Sequence, residues 1–140
     1  MEPQSLAQLK SLLATTNLLV VDDTPIIRDI VAGILEPLGL AAIHQAANGE
    51  EAWKLLEAQP IGLVIADWLM PGLNGLDLLR KMRADQRFTA TPLIMITGMP
   101  DKHVVMEAMK LQISDFLIKP IDGKLLRQKI LKVLTAQGAR

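Results

Sequence analysis

Residues 61–72 read IGLVIADWLMPG, and the fold assignment depends on the pattern in this stretch. From Ile61 to Ala66 it is apolar and contains β-branched residues, which is typical of a buried strand. Asp67 follows at once, and Pro71 and Gly72 are typical of a turn. The stretch therefore predicts a buried strand with a carboxylate at its carboxyl end.

Four further apolar runs have a similar length and composition. Each is short enough for a strand and shorter than an ordinary helix. We therefore predict five strands in all. The four further runs are Leu18–Val21, Leu93–Ile96, Phe116–Ile118 and, more weakly, Ala42–Ala46.

Helical spacing is clearest in the interval after the first strand. Thr24-Pro25 fits an N-cap followed by proline at the first helical position, and Gly39 fits a C-terminal stop. Between them, apolar residues recur at helical intervals and predict one inward face. Its members are Ile27, Ile30, Val31, Ile34 and Leu38.

The other four intervals also show helical spacing. Asn48 followed by Glu51 resembles a capping box and predicts the start of the second helix. Three more helices are predicted from Leu76 to Ala84, after Pro100 and after Asp122.

Strands that alternate with helices predict an α/β fold with a parallel sheet covered on both faces. Five such units, (βα)5, fit the flavodoxin-like doubly wound sheet with strand order 2-1-3-4-5. In that order the functional crevice lies beyond the carboxyl ends of the strands. We predict one domain over residues 17–136 and a tail over residues 137–140.

Residues 1–16 form an N-terminal extension outside this pattern. Leu6, Leu9, Leu12 and Leu13 share one face of a helix and predict a short helical segment. Three alternatives stay open: a helix that packs on the domain, a helix that pairs between protomers, and a partly ordered linker.

Composition excludes several classes of function. The 140 residues contain 15 basic and 15 acidic side chains, so no excess of positive charge favours direct nucleic-acid binding. The absence of cysteine excludes disulfides, thiolate metal sites and cysteine nucleophiles. No apolar run approaches the roughly 20 residues of a membrane span, and no signal peptide is evident. We therefore expect a cytoplasmic protein without a membrane partner.

Four of the predicted strands end in polar residues. Three carboxylates brought together at neighbouring strand ends repel each other unless a cation lies among them. Oxygen ligands of this kind suit Mg²⁺, and Mn²⁺ would also fit. The polar ends are Asp22-Asp23, Asp67, Thr97-Gly98 and Lys119-Pro120.

These residue types also suit phosphoryl transfer. A carboxylate can act as a nucleophile toward phosphorus, and Asp67 is the candidate. The transferred group needs charge neutralisation, which the Lys119 ammonium and the Thr97 hydroxyl could supply together with the metal ion. Gly98 lacks a side chain and would leave space for that group.

Each residue alone also has an ordinary structural explanation. Asp22 and Asp23 could be helix-capping or solvated acids, and Asp67 could begin a turn. Thr97 could be a polar strand end, and Lys119 a surface lysine. Their occurrence together, each at the end of a different predicted strand, favours the functional interpretation.

This set of motifs resembles the signature of bacterial response-regulator receiver domains, of the chemotaxis-regulator type, over residues 17–136. The resemblance implies that Asp67 accepts a phosphoryl group from a histidine kinase or a phosphotransfer protein. It implies that Thr97 and Lys119 hold phosphoryl oxygens and that the Lys119–Pro120 bond is cis. The implied Mg²⁺ ligands are Asp22, Asp23, Asp67 and the backbone carbonyl of Leu69.

Three positions concern the regulation of such a site, and a fourth, Gln112, concerns a turn outside it. Phe116 lies where the family has a rotating aromatic switch, although a role in the core explains it equally well. Leu69 and Met99 lie where the family's side chains flank the phosphoryl group and control water access. Both are apolar, which predicts a long-lived acyl phosphate. Gln112 replaces a glycine common in the family, so we expect a different turn into the fifth strand.

We interpret the chain as a signalling module and not as a turnover enzyme. Its output surface would comprise the fourth and fifth helices of the repeat and the fifth strand. Met106 and Met109 face outward there, while Val104, Ala108 and Leu111 face inward. The expected partner is a protein effector or a C-terminal output domain, and a homodimer is compatible with the pattern.

Three rival interpretations need residues or properties that differ from these. A haloacid-dehalogenase-type phosphatase needs a second acid two residues after the nucleophile, where Leu69 stands. A flavodoxin-like FMN carrier needs a Ser/Thr/Gly-rich phosphate loop after the first strand, where Asp22-Asp23 would repel phosphate. A docking domain of the same fold that is not phosphorylated remains the alternative.

Overall fold

A computed structural model describes residues 5–99 and 101–138. Five parallel strands form one sheet in the order β2-β1-β3-β4-β5, as the sequence predicted. In chain order the elements are α1 (Leu6–Ala14), β1 (Asn17–Val21), α2 (Pro25–Leu35), a 3₁₀-helix (Glu36–Leu38), β2 (Ala42–Ala46), α3 (Gly49–Ala58), β3 (Ile61–Asp67), α4 (Gly75–Arg83), β4 (Leu93–Thr97), α5 (Lys102–Lys110), β5 (Asp115–Ile118) and α6 (Gly123–Gly138).

The sheet separates two hydrophobic clusters, because successive side chains of a strand point to opposite faces. In β1, Leu19 and Val21 belong to the cluster beneath α3, α4 and α5. Leu18 and Val20 belong to the cluster beneath α1, α2 and α6. The central strands are therefore apolar on both faces, which is typical of a parallel sheet covered by helices.

The register of the sheet brings the polar strand ends to one edge. Val21 pairs with Ala66, so the residues that follow β1 and β3 leave the sheet side by side. Asp67 pairs with Ile96, and Thr97 pairs with Ile118. Asp22, Asp67, Thr97 and Lys119 consequently lie at neighbouring positions along the carboxyl edge.

The helix starts follow the sequence signals with one difference. The Asn48 side chain accepts a hydrogen bond from the Glu51 N–H at 2.8 Å, as expected for an N-cap. Thr24 occupies the N-cap position before Pro25, but its side chain makes no capping hydrogen bond. Its own N–H instead donates to the Asp22 carboxylate.

Ile30 does not belong to the inward face of α2 on which the sequence analysis placed it. Val31 and Leu35 are 1% and 0% exposed, whereas Ile30 is 47% exposed. The helix packs through Val31 and Leu35, and Ile30 lies about 100° away from Val31 around the axis. The apolar stripe is therefore narrower than the sequence suggested.

The turn from α5 into β5 uses the backbone conformation that a glycine usually provides. Gln112 has a φ of 58°, which is in the left-handed region that favours glycine. The expected difference in the turn is therefore absent from the backbone conformation. The Ile113 N–H donates to the Ala108 carbonyl and the Gln112 N–H to the Met109 carbonyl, both at 3.0 Å. These two bonds form a Schellman motif with glutamine at its left-handed position.

Arg83 fixes this turn from the end of α4. Its guanidinium donates to the carbonyls of Leu111 and Gln112 at 2.8 and 3.3 Å. It also donates to the carbonyls of Phe88 and Thr91 at 3.1 and 2.8 Å. One side chain thereby joins the α4–β4 connection to the α5–β5 turn. Burial lowers the pKa of Arg83 below its usual value.

Within the N-terminal extension, α1 packs on the domain through Leu9, Leu12 and Leu13, which is the first of the three alternatives. Leu6, predicted on the same face, is 66% exposed and lies outside this contact. Ser5 and Gln8 make a reciprocal capping box at its start. Leu13 is 5% exposed and belongs to the cluster that includes Leu134 of α6. The proposed domain limits at residues 17 and 136 stay a prediction, and α6 continues to Gly138. No helix among the described residues is long and apolar enough to cross a membrane.

Candidate functional site

Three carboxylates converge at the carboxyl edge between β1 and β3. One oxygen from each of Asp22, Asp23 and Asp67 lies within 4.8 Å of the others. Asp22 and Asp67 are buried, with exposed fractions of 4% and 7%, whereas Asp23 is exposed. The cluster therefore has two buried acids and one acid that is exposed to solvent.

Lys119 supplies the counter-charge from the end of β5. Its ammonium lies 3.1 Å from Asp67 Oδ2 and 3.9 Å from Asp22 Oδ2. Its backbone N–H donates to the Thr97 carbonyl at 2.9 Å, and the Lys119–Pro120 peptide bond is cis. The backbone of Lys119 is thus hydrogen-bonded to the end of the neighbouring strand, β4.

Burial raises the pKa of the Asp67 carboxyl above its usual value. The hydrogen bond and the positive charge of Lys119 lower that pKa, and the negative charge of Asp22 raises it again. The N–H of Leu69 also donates to this carboxylate and lowers the pKa. The net shift is upward, so the protein holds Asp67 as an incompletely compensated anion.

Asp22 is oriented by its own loop. Its Oδ1 accepts the Thr24 N–H at 2.9 Å, while its Oδ2 is the atom that faces Lys119. The Arg28 guanidinium donates to the Asp22 backbone carbonyl at 2.6 Å and to the Gln45 side chain at 3.2 Å. The start of α2 therefore holds the Asp22 carboxylate toward Asp67.

Thr97, Gly98 and Met99 form the rim beside Lys119. Thr97 is 4% exposed, and its hydroxyl oxygen accepts the Met99 N–H at 3.1 Å. A Cβ added to Gly98 would approach the Lys119 side-chain carbons at 3.7 and 3.8 Å, an ordinary contact. Gly98 therefore leaves free the space beside the lysine stem that carries the ammonium.

The remaining predicted residues lie around this centre. Leu69 and Met99, two residues after Asp67 and Thr97, are exposed at 54% and 67%. Phe116 is half-buried and packs against the cluster beneath α3, α4 and α5. In this conformation it does not lie fully on the surface or fully in the core.

The loop after Asp67 depends on glycines whose purpose the sequence analysis did not identify. A Cβ on Gly75 would lie 2.5 Å from the Asp67 carbonyl oxygen, and a Cβ on Gly49 would overlap Leu73. Gly72 has a φ of 73°, and the Leu73 N–H donates to Glu50 at 3.3 Å. The loop is therefore held closely against the first turns of α3 and α4. The quoted stretch ended at Gly72, and no local pattern indicated the close contact at Gly75.

The donor set fits a hard divalent cation. Three carboxylates with like charge can share one region at low energetic cost only with positive charge among them, and Lys119 supplies one unit. Oxygen ligands from Asp22, Asp23 and Asp67, with a backbone carbonyl and waters, are those that Mg²⁺ prefers. The cluster could hold such an ion.

The family model described as the response regulator receiver domain matches residues 18–131. The chain belongs to this family. The match covers β1 from Leu18 onward, the other four strands in full, and the polar end of each strand that forms the site. The receiver domain is of the chemotaxis-regulator type, as the motifs indicated.

Known relatives of this receiver domain include bacterial chemotaxis proteins. The chain is 42% identical to chemotaxis protein CheY1 of Helicobacter pylori over 118 residues, which are 84% of this chain and 95% of the relative. It is 37% identical to the CheY homolog of Campylobacter jejuni over 118 residues, 84% of this chain and 91% of the relative. These proteins are similar to the chain over nearly their whole length.

Solved structures show the same likeness. A response regulator receiver protein from Pseudomonas putida has a TM-score of 0.79 and 35% identity and covers 84% of this chain and 97% of its own. A CheY-like receiver domain protein from Methanospirillum hungatei has a TM-score of 0.83 and 26% identity and covers 89% and 98%. Both likenesses extend over most of each chain.

Proposed function

We propose that this receiver domain accepts a phosphoryl group on Asp67 from a phosphohistidine in a two-component phosphorelay. One observation carries the proposal: the buried Asp67 carboxylate lies 3.1 Å from the Lys119 ammonium and within 4.8 Å of two further carboxylates. A nucleophilic oxygen, a fixed cation and a set of metal ligands thus meet at one strand end. Phosphoryl transfer needs chiefly such positioning and charge neutralisation.

The transfer follows from the positions of the chain's own groups. An Asp67 carboxylate oxygen attacks phosphorus and forms the acyl-phosphate bond, while the bond from phosphorus to the donor's imidazole nitrogen breaks. The electron pair of that bond stays on the imidazole. Lys119, now paired with the free carboxylate, pairs with a phosphoryl oxygen in the product. The Thr97 hydroxyl keeps its proton and donates a hydrogen bond to another phosphoryl oxygen.

Asp22, Asp23 and Asp67 would hold Mg²⁺, with the backbone carbonyl of Leu69 as a further ligand. The bound ion would neutralise charge on the phosphoryl oxygens during transfer. Mn²⁺ has the same preference for oxygen ligands and would substitute for it.

The acyl phosphate should be long-lived. Leu69 and Met99 are exposed two residues after Asp67 and Thr97, and neither side chain can accept or donate a strong hydrogen bond to an attacking water. Hydrolysis must then proceed with water that no flanking side chain orients. The domain acts as a phosphoacceptor and not as a turnover enzyme.

The output surface comprises α5, β5 and α6. Met106, Met109 and Ile118 are 49%, 66% and 55% exposed there, while Ala108 is fully buried beneath them. On phosphorylation Thr97 moves toward the phosphoryl group, and Phe116 and this surface follow as a shift between two states. The partners are a histidine kinase or phosphotransfer protein upstream and a protein effector or output domain downstream.

Intact-mass measurement with acetyl phosphate tests the proposal. Wild type should gain one phosphoryl group in Mg²⁺, and EDTA should abolish the gain. Asp67→Asn should gain none, whereas Asp29→Asn, a control at an exposed acid of α2, should behave like wild type. No adduct on wild type, even with a competent phosphohistidine donor, would favour the alternative of a docking domain that is not phosphorylated.

A further inference from the structure

The methionines in the described part of the chain divide into two groups by exposure. Three belong to the core, and none of them is more than 8% exposed: Met70, Met82 and Met95. The chain contains no cysteine, so methionine sulfur is its only sulfur. The other three methionines are between 49% and 67% exposed: Met99, Met106 and Met109.

Met99 is joined directly to the candidate site. Its N–H donates to the buried hydroxyl oxygen of Thr97 at 3.1 Å, and its side chain is 67% exposed. The backbone that carries the thioether is therefore fixed to Thr97, a group that would hold a phosphoryl oxygen. A polar atom added to this side chain would change the surroundings of the phosphoryl group.

Met106 and Met109 lie on the outward side of α5. Residues three apart on a helix are neighbours on its surface, so the two thioethers form one patch. Ala108, on the inward side, is fully buried. Both thioethers are therefore open to an oxidant from solvent while the packing of α5 is unaffected.

We propose that Met99, Met106 and Met109 form a methionine-sulfoxide modification site, and that the sulfoxide of Met99 shortens the lifetime of the Asp67 phosphate. This second part rests on the proposed function. The oxidant class is a peroxide. The thioether electron pair attacks one peroxide oxygen, a sulfur–oxygen bond forms and the oxygen–oxygen bond breaks. Sulfur loses two electrons to the peroxide. The departing oxygen takes the proton from the oxygen now bound to sulfur and leaves as water.

The effect on lifetime has a physical cause. A thioether is a weak acceptor, so Met99 cannot orient water next to the phosphoryl group. A sulfoxide oxygen is a strong acceptor on the same flexible side chain. It can hold a water molecule by one hydrogen and direct its oxygen toward phosphorus. Sulfoxides at Met106 and Met109 would make the outer face of α5 polar without reaching Asp67.

Site-resolved oxidation tests the modification alone. The full chain is treated with limiting hydrogen peroxide, and peptide mass spectrometry gives the rate at each methionine. Met99, Met106 and Met109 should oxidise at least about tenfold faster than the three buried methionines. Equal rates in the two groups would overturn the site. This measurement does not involve phosphorylation, so its result is independent of the proposed function.

A second measurement tests the effect on lifetime. Acyl-phosphate decay is followed in Mg²⁺ after removal of acetyl phosphate, and each variant is compared with its own unoxidised sample. Oxidation should shorten the half-life at least about twofold in wild type and in M106L/M109L, and methionine sulfoxide reductase should restore it. It should leave the half-life of M99L unchanged. An equal effect in M99L, or none in wild type, would overturn the role of Met99.

If unoxidised wild type gained no phosphoryl group, the proposed function would fail and the lifetime claim would fail with it. The selectivity of oxidation would still be decided by the first measurement. The two failures are therefore distinguishable.

Discussion

The Asp67 carboxylate carries an electrostatic cost because it is a buried anion. It is 7% exposed, burial raises its pKa, and the negative charge of Asp22 raises it further. Lys119 offsets part of this cost at 3.1 Å. A buried anion with one incomplete counter-charge favours any ligand that brings positive charge, and it destabilises the fold in the absence of that ligand.

Asp67→Asn should therefore stabilise the protein when no divalent cation is present. Because the folded-state pKa of this carboxyl is raised, its ionisation destabilises the folded protein. That stability is lost as the pH rises from 3.8, the ordinary pKa of the group, through the folded-state pKa. Above the folded-state pKa the wild type carries this cost, and the amide carries none. We expect the melting temperature of Asp67→Asn to be several degrees higher at pH 7 and the difference to shrink toward pH 4.

Thermal unfolding in EDTA across this pH range gives the result. Addition of Mg²⁺ should stabilise wild type more than Asp67→Asn and so reduce the difference. A lower melting temperature for Asp67→Asn at pH 7 would show that Lys119 compensates the charge fully.

Residues at strand ends could be predicted, whereas those that support them could not. Asp67, Thr97 and Lys119 were identified because the ends of parallel strands meet at one edge whatever the details of the loops. Arg83 was missed because its acceptors lie up to 29 positions away in the chain. The need for glycine at position 75 arises from a contact with the Asp67 backbone, which no local pattern reveals.

At the scale of elements, the ends of the helices show how local signals combine with packing. The Asn48 cap acts as its sequence predicts, since it needs only its own next turn. The inward face of α2 was predicted too wide, because Ile30 satisfies the helical period but lies outside the part of the helix that contacts the sheet. Packing geometry, which the period does not contain, decides that difference.

Gln112 gives a test at this scale, because it adopts a left-handed conformation without being glycine. A left-handed conformation costs a residue that has a Cβ about 1–2 kcal/mol, and replacement by glycine removes this cost. The greater freedom of glycine in the unfolded chain costs about 0.4–1 kcal/mol. Gln112→Gly should therefore raise the free energy of unfolding by about 0.5–1 kcal/mol, as measured by urea denaturation.

Gly39→Ala is the matched control. Gly39 has a φ of 71°, and an added Cβ would meet nothing within 4 Å, so only backbone strain changes. This variant should be less stable than wild type by about the same amount. A loss of stability in Gln112→Gly would mean that the glutamine side chain contributes more to the turn than its backbone strain costs.

At the scale of the whole molecule, α1 is part of the core although the family match begins only at residue 18. Leu13 shares one hydrophobic cluster with Leu126, Ile130 and Leu134 of α6. The sequence indicated the helix but left its packing open, because one apolar face fits a domain or another protomer equally well. The described contacts place Leu9, Leu12 and Leu13 on the domain, whereas Leu6 stays exposed.

Leu13→Ala should lower the free energy of unfolding by about 2–4 kcal/mol, because it removes a buried side chain and leaves a cavity. Leu6→Ala, in the same helix, should change it by less than about 0.5 kcal/mol, because Leu6 is 66% exposed. Chemical denaturation of the two variants decides the matter. Similar small effects for both would show that α1 contributes little to the stability of the domain.

The central claim is that Asp67 itself accepts the phosphoryl group. Its most direct test is borohydride reduction of the phosphorylated protein, which converts an aspartyl phosphate to homoserine, followed by peptide sequencing with mass spectrometry. We predict homoserine at position 67 and unmodified aspartate at positions 22 and 23. Homoserine at Asp22 or Asp23, with Asp67 intact, would contradict the assignment of the phosphoacceptor.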